Sequence, residues 1–165
     1  MKKINNMYVL LVSIVIFVST KANAQISKAE IRAIGLTCSM CSNAINKQFK
    51  SLPQVVNVST DLNTNTFTVT LKEGNTLSPK VFKDKVEKAG FFIGSLIVTT
   101  KSESIKQGGY VIVNNASNTN TEVQIQILDK GYVTEKEFKK LSKSLKNIET
   151  YALNNEDDFH IKIIN

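Results

Sequence analysis

The sequence predicts an α+β fold in which two helices cover one face of a four-stranded antiparallel sheet, with a smaller α+β unit after it. Two observations predict this fold. Residues 29–98 pass through alternating and three-four apolar patterns in the order strand, helix, strand, strand, helix, strand. Turn and cap residues separate these patterns, at Pro53, at the NTNT segment of residues 63–66, at Ser78 and at Gly90.

The first half of this unit is a strand followed by a helix. Residues 30–34 alternate between apolar and polar side chains, as a half-buried strand does. From Cys41 the apolar positions follow the three-four spacing of one helix face, and Pro53 marks the end of the helix. The pattern therefore predicts an amphipathic helix that packs on the sheet.

The second half adds a hairpin, a helix and a last strand. Residues 56–62 and 67–71 alternate on either side of the NTNT turn. Ser78 and Pro79 form an N-cap and first turn, Gly90 ends the helix, and residues 91–98 form a strand. Two strand–helix–strand halves whose inner strands form a hairpin predict a ferredoxin-like βαββαβ sandwich.

Residues 100–109 are polar and end in paired glycines, which predicts a linker. Residues 110–165 then form a C-terminal α+β unit, in which Thr134 and Glu137 provide a capping box. The predicted order is strand, strand, helix, strand, strand, over residues 110–113, 122–128, 134–145, 148–153 and 158–164.

The C-terminal unit has the apolar rhythm of the first unit's opening half. A shift of 92 positions aligns Ile31 with Val123 and Phe67 with Phe159, and it puts Lys130 and Val133 at the positions of Cys38 and Cys41, which are the only cysteines. One interpretation is a degenerate repeat without the cysteine pair. The alternative is that any two strand–helix–hairpin units superpose in this way.

Residues 1–24 have the pattern of a cleaved secretory signal. Lys2 and Lys3 precede an apolar run at residues 8–18, and the ANA triplet at residues 22–24 has the form of a signal-peptidase site. The alternative is an uncleaved anchor. We expect an exported, periplasmic protein that is not a membrane protein after cleavage.

The charge of the chain gives little support to nucleic-acid binding. Removal of residues 1–24 takes away three of 21 basic residues and none of 14 acidic ones, which lowers the formal charge from +7 to +4. The sequence has no basic stripe with interleaved aromatic residues. Since residues 25–100 hold nine basic and five acidic residues, any attraction to an acidic partner would come from the first unit.

The spacing of the cysteines brings them to one place. Cys38 lies in the loop after the first strand and Cys41 in the first turn of the helix, so both sulfurs can face the same small volume. A helix N-terminus stabilises thiolate over thiol, and thiolate is the form that binds metal. A disulfide, a redox pair, half of a zinc site and a soft-metal site all remain open at this point.

The GLTCSMC segment at residues 35–41 resembles the G-M-T-C-x-x-C signature of heavy-metal-associated domains. VVNVSTDL at residues 55–62 and KAGFF at residues 88–92 are similar to further parts of that family. The resemblance implies that residues 25–99 are such a domain and that Cys38 and Cys41 bind one soft ion, commonly Cu(I). It also implies a non-enzymatic role and transfer of the ion to a metal-transporting or metal-accepting protein.

Three positions near the motif bear on the choice of metal. Leu36 replaces the methionine that is usual in the family, and Phe91 stands where bacterial copper chaperones often have tyrosine. Met40 offers either a thioether, which suits Cu(I), or an apolar cover. Hg(II), Ag(I), Zn(II) and Cd(II) therefore remain alternatives to Cu(I).

Three other interpretations compete with a soft-metal carrier. Structural zinc needs four protein ligands, and the single histidine, His160, is expected at a strand surface, so zinc would have to lie between two chains in a metal-bridged dimer. A thiol-disulfide oxidoreductase also has a CxxC at a helix start. A protein-interaction module with idle cysteines is the third alternative.

Overall fold

The computed structural model describes residues 25–107, 109–114, 116, 120–153 and 158–164. The predicted signal peptide, residues 1–24, lies outside the described residues. Among the helices in the described part of the chain, none is long and apolar enough to cross a membrane.

The first unit has the predicted βαββαβ order. Its second helix starts with Pro79 at the first turn and is followed by Gly90 at a φ of +88°, where glycine is favoured. The elements are β1 (Ile26–Ile34), α1 (Ser39–Lys50), β2 (Val55–Asp61), β3 (Thr66–Leu71), α2 (Pro79–Lys88) and β4 (Phe92–Lys101). The ferredoxin-like prediction is confirmed for this unit.

The C-terminal unit is α+β as predicted, with one element of a different type. Residues 148–153 were expected as a strand, which is wrong, because Glu149–Leu153 is a helix. In this helix Tyr151 is buried: its ring packs edge-on against the His160 ring, with centroids 4.9 Å apart, and its hydroxyl donates a hydrogen bond to the Leu128 carbonyl at 2.8 Å. The elements are α3 (Ser102–Gln107), β5 (Tyr110–Ile112), β6 (Glu122–Ile127), α4 (Glu135–Ser144), α5 (Glu149–Leu153) and β7 (Phe159–Ile164).

The segment predicted as a linker contains regular structure. β4 runs on to Lys101, and Ser102–Gln107 forms α3. Ile105 of this short helix is buried in the main core, with 7% of its surface exposed. Burial of one apolar side chain thus gives this polar segment a fixed position.

The two predicted units share one sheet of seven strands in the order β2-β3-β1-β4-β6-β7-β5. β4 pairs antiparallel with β1 on one side and with β6 on the other. β5 pairs parallel with β7 and occupies the far edge. The C-terminal unit therefore extends the sheet from a strand that would otherwise lie at its edge.

One face of the sheet carries the main core beneath α1 and α2. Phe49 of α1 contacts Phe67 of β3 and Phe82 of α2, with ring centroids 5.9 and 6.2 Å apart. Ile125 of β6 and Ile161 of β7 are fully buried in the same cluster. The core thus runs across both units, and burial of this apolar surface is the main stabilising contribution to the fold.

The opposite face of the sheet carries a smaller cluster at the β6–β7 end. Leu128, Val133 and Tyr151 form its centre, and Phe138 and Leu141 of α4 pack on it. Since side chains alternate along β7, His160 points away from its neighbours in the main core and towards this cluster. α4 and α5 therefore cover the face of the sheet that α1 and α2 leave free.

β6 and β7 pair antiparallel, as β1 and β3 do in the first unit. β5 lies outside β7, at the place that β2 has beside β3 in the first unit, but it pairs parallel rather than antiparallel. The place of a closing strand, beside β6, is taken by β4 of the first unit. The pairing of β6 with β7 agrees with the alignment by 92 positions. In contrast, α5 stands in the sequence where a full copy of the first unit would have a strand equivalent to β2. Descent by duplication stays a prediction.

Candidate metal centre

The cysteine pair lies at the junction of β1 and α1, in a segment that we call the thiol loop (residues 35–41). β1 ends at Ile34, and Gly35 follows with a φ of +89°, a conformation that few residues other than glycine adopt. Cys38 is the N-cap of α1 with extended backbone angles, and Cys41 is the third helical residue. The strand end and the helix start therefore fix both cysteines.

The two sulfur atoms face each other. Cys38 Sγ lies 2.8 Å from Cys41 Sγ, and both cysteines are free. The Cys41 amide donates a hydrogen bond to the Cys38 carbonyl over 3.1 Å, which closes the first turn. Cys38 is exposed and Cys41 is half-buried, so the pair is open to an incoming ion or protein from one side.

The surroundings favour the thiolate at Cys41. A hydrogen bond with the Cys38 side chain, and next the backbone of Thr37, lower the pKa of Cys41 below its usual value. The first turn of α1 has no acidic residue that would repel a negative sulfur. The positive end of the helix dipole acts in the same direction. A metal ion therefore meets a sulfur from which the proton is readily displaced.

Apolar side chains support and flank the thiol loop. Leu36 is half-buried and packs against the main core, so its side chain supports the loop from below. Phe91 lies 3.8 Å from where a Cβ at Gly35 would stand, so its ring is beside the loop. Met40 and Phe92 are 79% and 65% exposed. The cysteines thus lie in a largely apolar, solvent-facing corner.

The donor set at this corner is a pair of sulfurs. Among the described residues, no group of three or more His, Cys, Asp or Glu side chains could hold a metal ion. His160 was expected at a surface, which is wrong, because it is completely buried in the C-terminal unit. Two soft sulfur donors with an open side fit a soft ion of low coordination number better than an ion that needs four protein ligands.

The corresponding segment of the C-terminal unit, the tail loop (residues 128–134), holds a buried polar network instead. Asp129 Oδ2 accepts a hydrogen bond from the His160 backbone amide at 2.7 Å, and Asp129 Oδ1 lies 2.7 Å from His160 Nδ1. His160 Nε2 lies 2.9 Å from the Thr150 hydroxyl. Burial raises the pKa of Asp129, although the hydrogen bonds from His160 oppose that shift.

The sequence alone did not reveal this network. Asp129, Thr150 and His160 lie in three different elements or loops, and no local spacing pattern links them. Lys130 is exposed and Val133 is buried, so the two positions aligned with the cysteines do not form a site. The tail loop therefore places no thiol at the positions aligned with Cys38 and Cys41.

Comparison with known proteins points to the same segment. The family model described as "Heavy-metal-associated domain" matches residues 30–92. The yeast copper transporter domain Ccc2a, solved in apo and Cu(I)-loaded states, is 33% identical over 39% of this chain and 86% of its own, with a TM-score of 0.36.

Two further solved structures cover a similar share of the chain. The N-terminal domain of a potential copper-translocating P-type ATPase from Bacillus subtilis is 30% identical over 41% of this chain and 82% of its own, with a TM-score of 0.36. A copper-binding domain of another P-type ATPase is 28% identical over 39% and 85%, also with a TM-score of 0.36. No curated protein sequence matches this chain.

Proposed function

Because this chain belongs to the heavy-metal-associated domain family through residues 30–92, we propose that Cys38 and Cys41 bind one Cu(I) ion for delivery or sequestration. The observation that carries the proposal is the pair of free sulfurs, 2.8 Å apart at the start of a helix and open to solvent. The ion is cargo, and the protein is a carrier rather than an enzyme.

Cu(I) suits this corner better than harder ions do. Thiolates are soft ligands and select soft ions such as Cu(I), Ag(I) and Hg(II). Zn(II) and Cd(II) would take up further ligands, which a second chain would have to supply. The exposed side of Cys38 leaves room for a thiolate from a partner, so that the ion can pass from one protein to the other by ligand exchange.

The charge of the two helices indicates the kind of partner. α1 and α2 together carry six lysines and two acidic residues, and α1 has none of the acidic ones. Both helices lie on the face of the sheet next to the thiol loop. We expect a metal-transporting or metal-accepting protein whose docking surface is acidic, which a carrier exported to the periplasm would meet there.

The decisive experiment is competition for Cu(I) between the reduced chain and a coloured Cu(I) chelator. The chain from residue 25 onward should take up one Cu(I) per molecule, and the double variant Cys38→Ser, Cys41→Ser should take up none. Ser39→Ala is the matched control, since Ser39 is exposed and lies between the cysteines. Stoichiometric Cu(I) uptake by the double variant would refute the proposal.

Thiol-disulfide exchange is the second candidate, and the lowered pKa of Cys41 is the observation that favours it. An oxidoreductase should reduce insulin catalytically in the presence of a dithiol. A carrier should not do so, whatever its affinity for Cu(I). Turnover of insulin that disappears in the Cys38→Ser, Cys41→Ser variant would therefore favour the enzyme.

A further inference from the structure

The two edges of the sheet differ in length. The seven described strands end with β2 on one side and β5 on the other. β5 has three residues, whereas β2 has seven. The outer backbone groups of an edge strand are free to pair with a further strand. β2 is thus the edge along which another chain has most room to pair.

β2 lacks most of the features that prevent such pairing. Proteins usually protect an edge with lysine, proline or a bulge. The VVNVST segment, residues 55–60, holds no charged residue and no proline, and its ladder to β3 is irregular only between Val55 and Asn57. Val56 and Leu62 lie near the two ends of the strand and are 62% and 57% exposed.

Asp61 is the single charged residue of β2, and its carboxylate is turned into its own hairpin. It accepts hydrogen bonds from the Asn63 amide at 2.8 Å and from the Thr64 hydroxyl at 2.9 Å. These bonds lower the pKa of Asp61, with the Thr64 bond as the larger cause. The negative charge is therefore held by the turn and is not directed at an approaching strand.

The sequence of β2 is self-complementary about Ser59. An antiparallel pair with a two-fold axis at this residue places Val56 of one copy opposite Leu62 of the other. The same register places Asn57 opposite Asp61 and Val58 opposite Thr60. The two exposed apolar side chains meet at both ends of the interface, and no charge faces a like charge.

We propose that two copies of this chain pair through β2 in this antiparallel register, so that one sheet runs across the dimer. Antiparallel pairing reverses one copy relative to the other, which puts the two thiol loops at opposite ends of the joined sheet. Both cysteine pairs then stay open. This dimer differs from a metal-bridged dimer, in which the thiol loops would face each other, and it does not depend on the proposed function.

The test is the molecular mass of the metal-free, reduced chain from residue 25 onward, measured by sedimentation equilibrium over a wide concentration range. The wild type should approach twice the mass of one chain as concentration rises. Val56→Lys and Leu62→Lys should each weaken association by about tenfold or more, since each substitution occurs twice in a symmetric interface. The amides of β2 should exchange hydrogen more slowly at high concentration.

Two controls separate this dimer from others. Thr70→Lys adds the same charge at an exposed position of β3, away from the edge, and should leave the association unchanged. Cys38→Ser with Cys41→Ser should also dimerise like the wild type. A wild type that stays monomeric at every concentration, or that dimerises only with metal and intact cysteines, would overturn the proposal.

Discussion

The thiol loop and the tail loop occupy equivalent places, each after a half-buried strand and before a helix, but one exposes its reactive groups and the other buries its polar groups. The thiol loop presents two free sulfurs to solvent. The tail loop buries Asp129 against a completely buried His160. The difference shows that one strand–loop–helix geometry can hold either a reactive site or a structural polar network, depending on whether its polar groups find partners inside the fold.

The pKa shifts of Cys41 and Asp129 differ in direction between the two loops. Hydrogen bonding at an exposed helix start lowers the pKa of Cys41, which favours its charged form. Burial raises the pKa of Asp129, which disfavours its charged form. An exposed helix start suits a thiol that must exchange an ion with a partner, because it favours the thiolate. A buried, hydrogen-bonded position suits a carboxyl group such as that of Asp129, which contributes to the stability of the fold.

The largest effect should come from removing the histidine of the tail network. His160→Leu leaves Asp129 buried without its main partner, so we expect the free energy of unfolding to fall by about 3 kcal/mol. Chemical denaturation would measure this loss. Cu(I) uptake at the thiol loop should persist under conditions where the variant is folded, and a variant as stable as wild type would contradict the role given to the network.

A smaller effect on the free energy of unfolding should distinguish the N-terminus of α4 from that of α1. The Thr134 hydroxyl accepts a hydrogen bond from the Glu137 amide at 3.3 Å, whereas Cys38 makes no such bond at the start of α1. Thr134→Ala should therefore lower the free energy of unfolding by about 1 kcal/mol. Cys38→Ala should change it by less than about 0.5 kcal/mol, as is usual for an exposed position. Equal losses in the two variants would show that the comparison is wrong.

The smallest effect concerns the ionisation of Cys41. Because a hydrogen bond with the Cys38 side chain lowers the pKa of Cys41, alkylation of Cys41 by iodoacetamide, followed by peptide mass mapping, should reach half its maximal rate at a lower pH in wild type than in the Cys38→Ala variant. The midpoint should lie below the usual range of a thiol in wild type and rise in Cys38→Ala, which offers no replacement donor, since the hydrogen bond with the Cys38 side chain is the largest cause of the shift. Identical midpoints would remove Cys38 as that cause.

Much of the fold followed from local pattern. Strands β1 to β4 and helices α1 and α2 have strong periodicity and formed as predicted, and Thr134 caps α4 by accepting a hydrogen bond from the Glu137 amide. Ser78 lies at the predicted N-cap of α2 but makes no side-chain cap bond. The strand predicted at residues 148–153 was wrong because the segment is short and its apolar pattern is weak, and in the structure Tyr151 packs against His160 from a helix. Long-range contacts of this kind override weak local preferences.

The candidate site was more predictable than its surroundings. Cys38 and Cys41 are three positions apart, so one helix turn brings their sulfurs together without help from distant residues. The burial of His160 could not be predicted, since Asp129 lies 31 positions before it in the sequence. The pairing of β4 with β6 could not be predicted either, because a long polar segment separates the two strands along the chain.

Local sequence pattern was enough to predict the βαββαβ unit and the placement of the cysteine pair, because both depend on short-range periodicity and spacing. Three features became visible in the folded chain alone: the C-terminal unit continues the same sheet, α4 and α5 cover the other face of that sheet at its β6–β7 end, and His160 lies inside the fold. These features depend on which distant apolar surfaces and polar groups meet, and local pattern does not encode that choice.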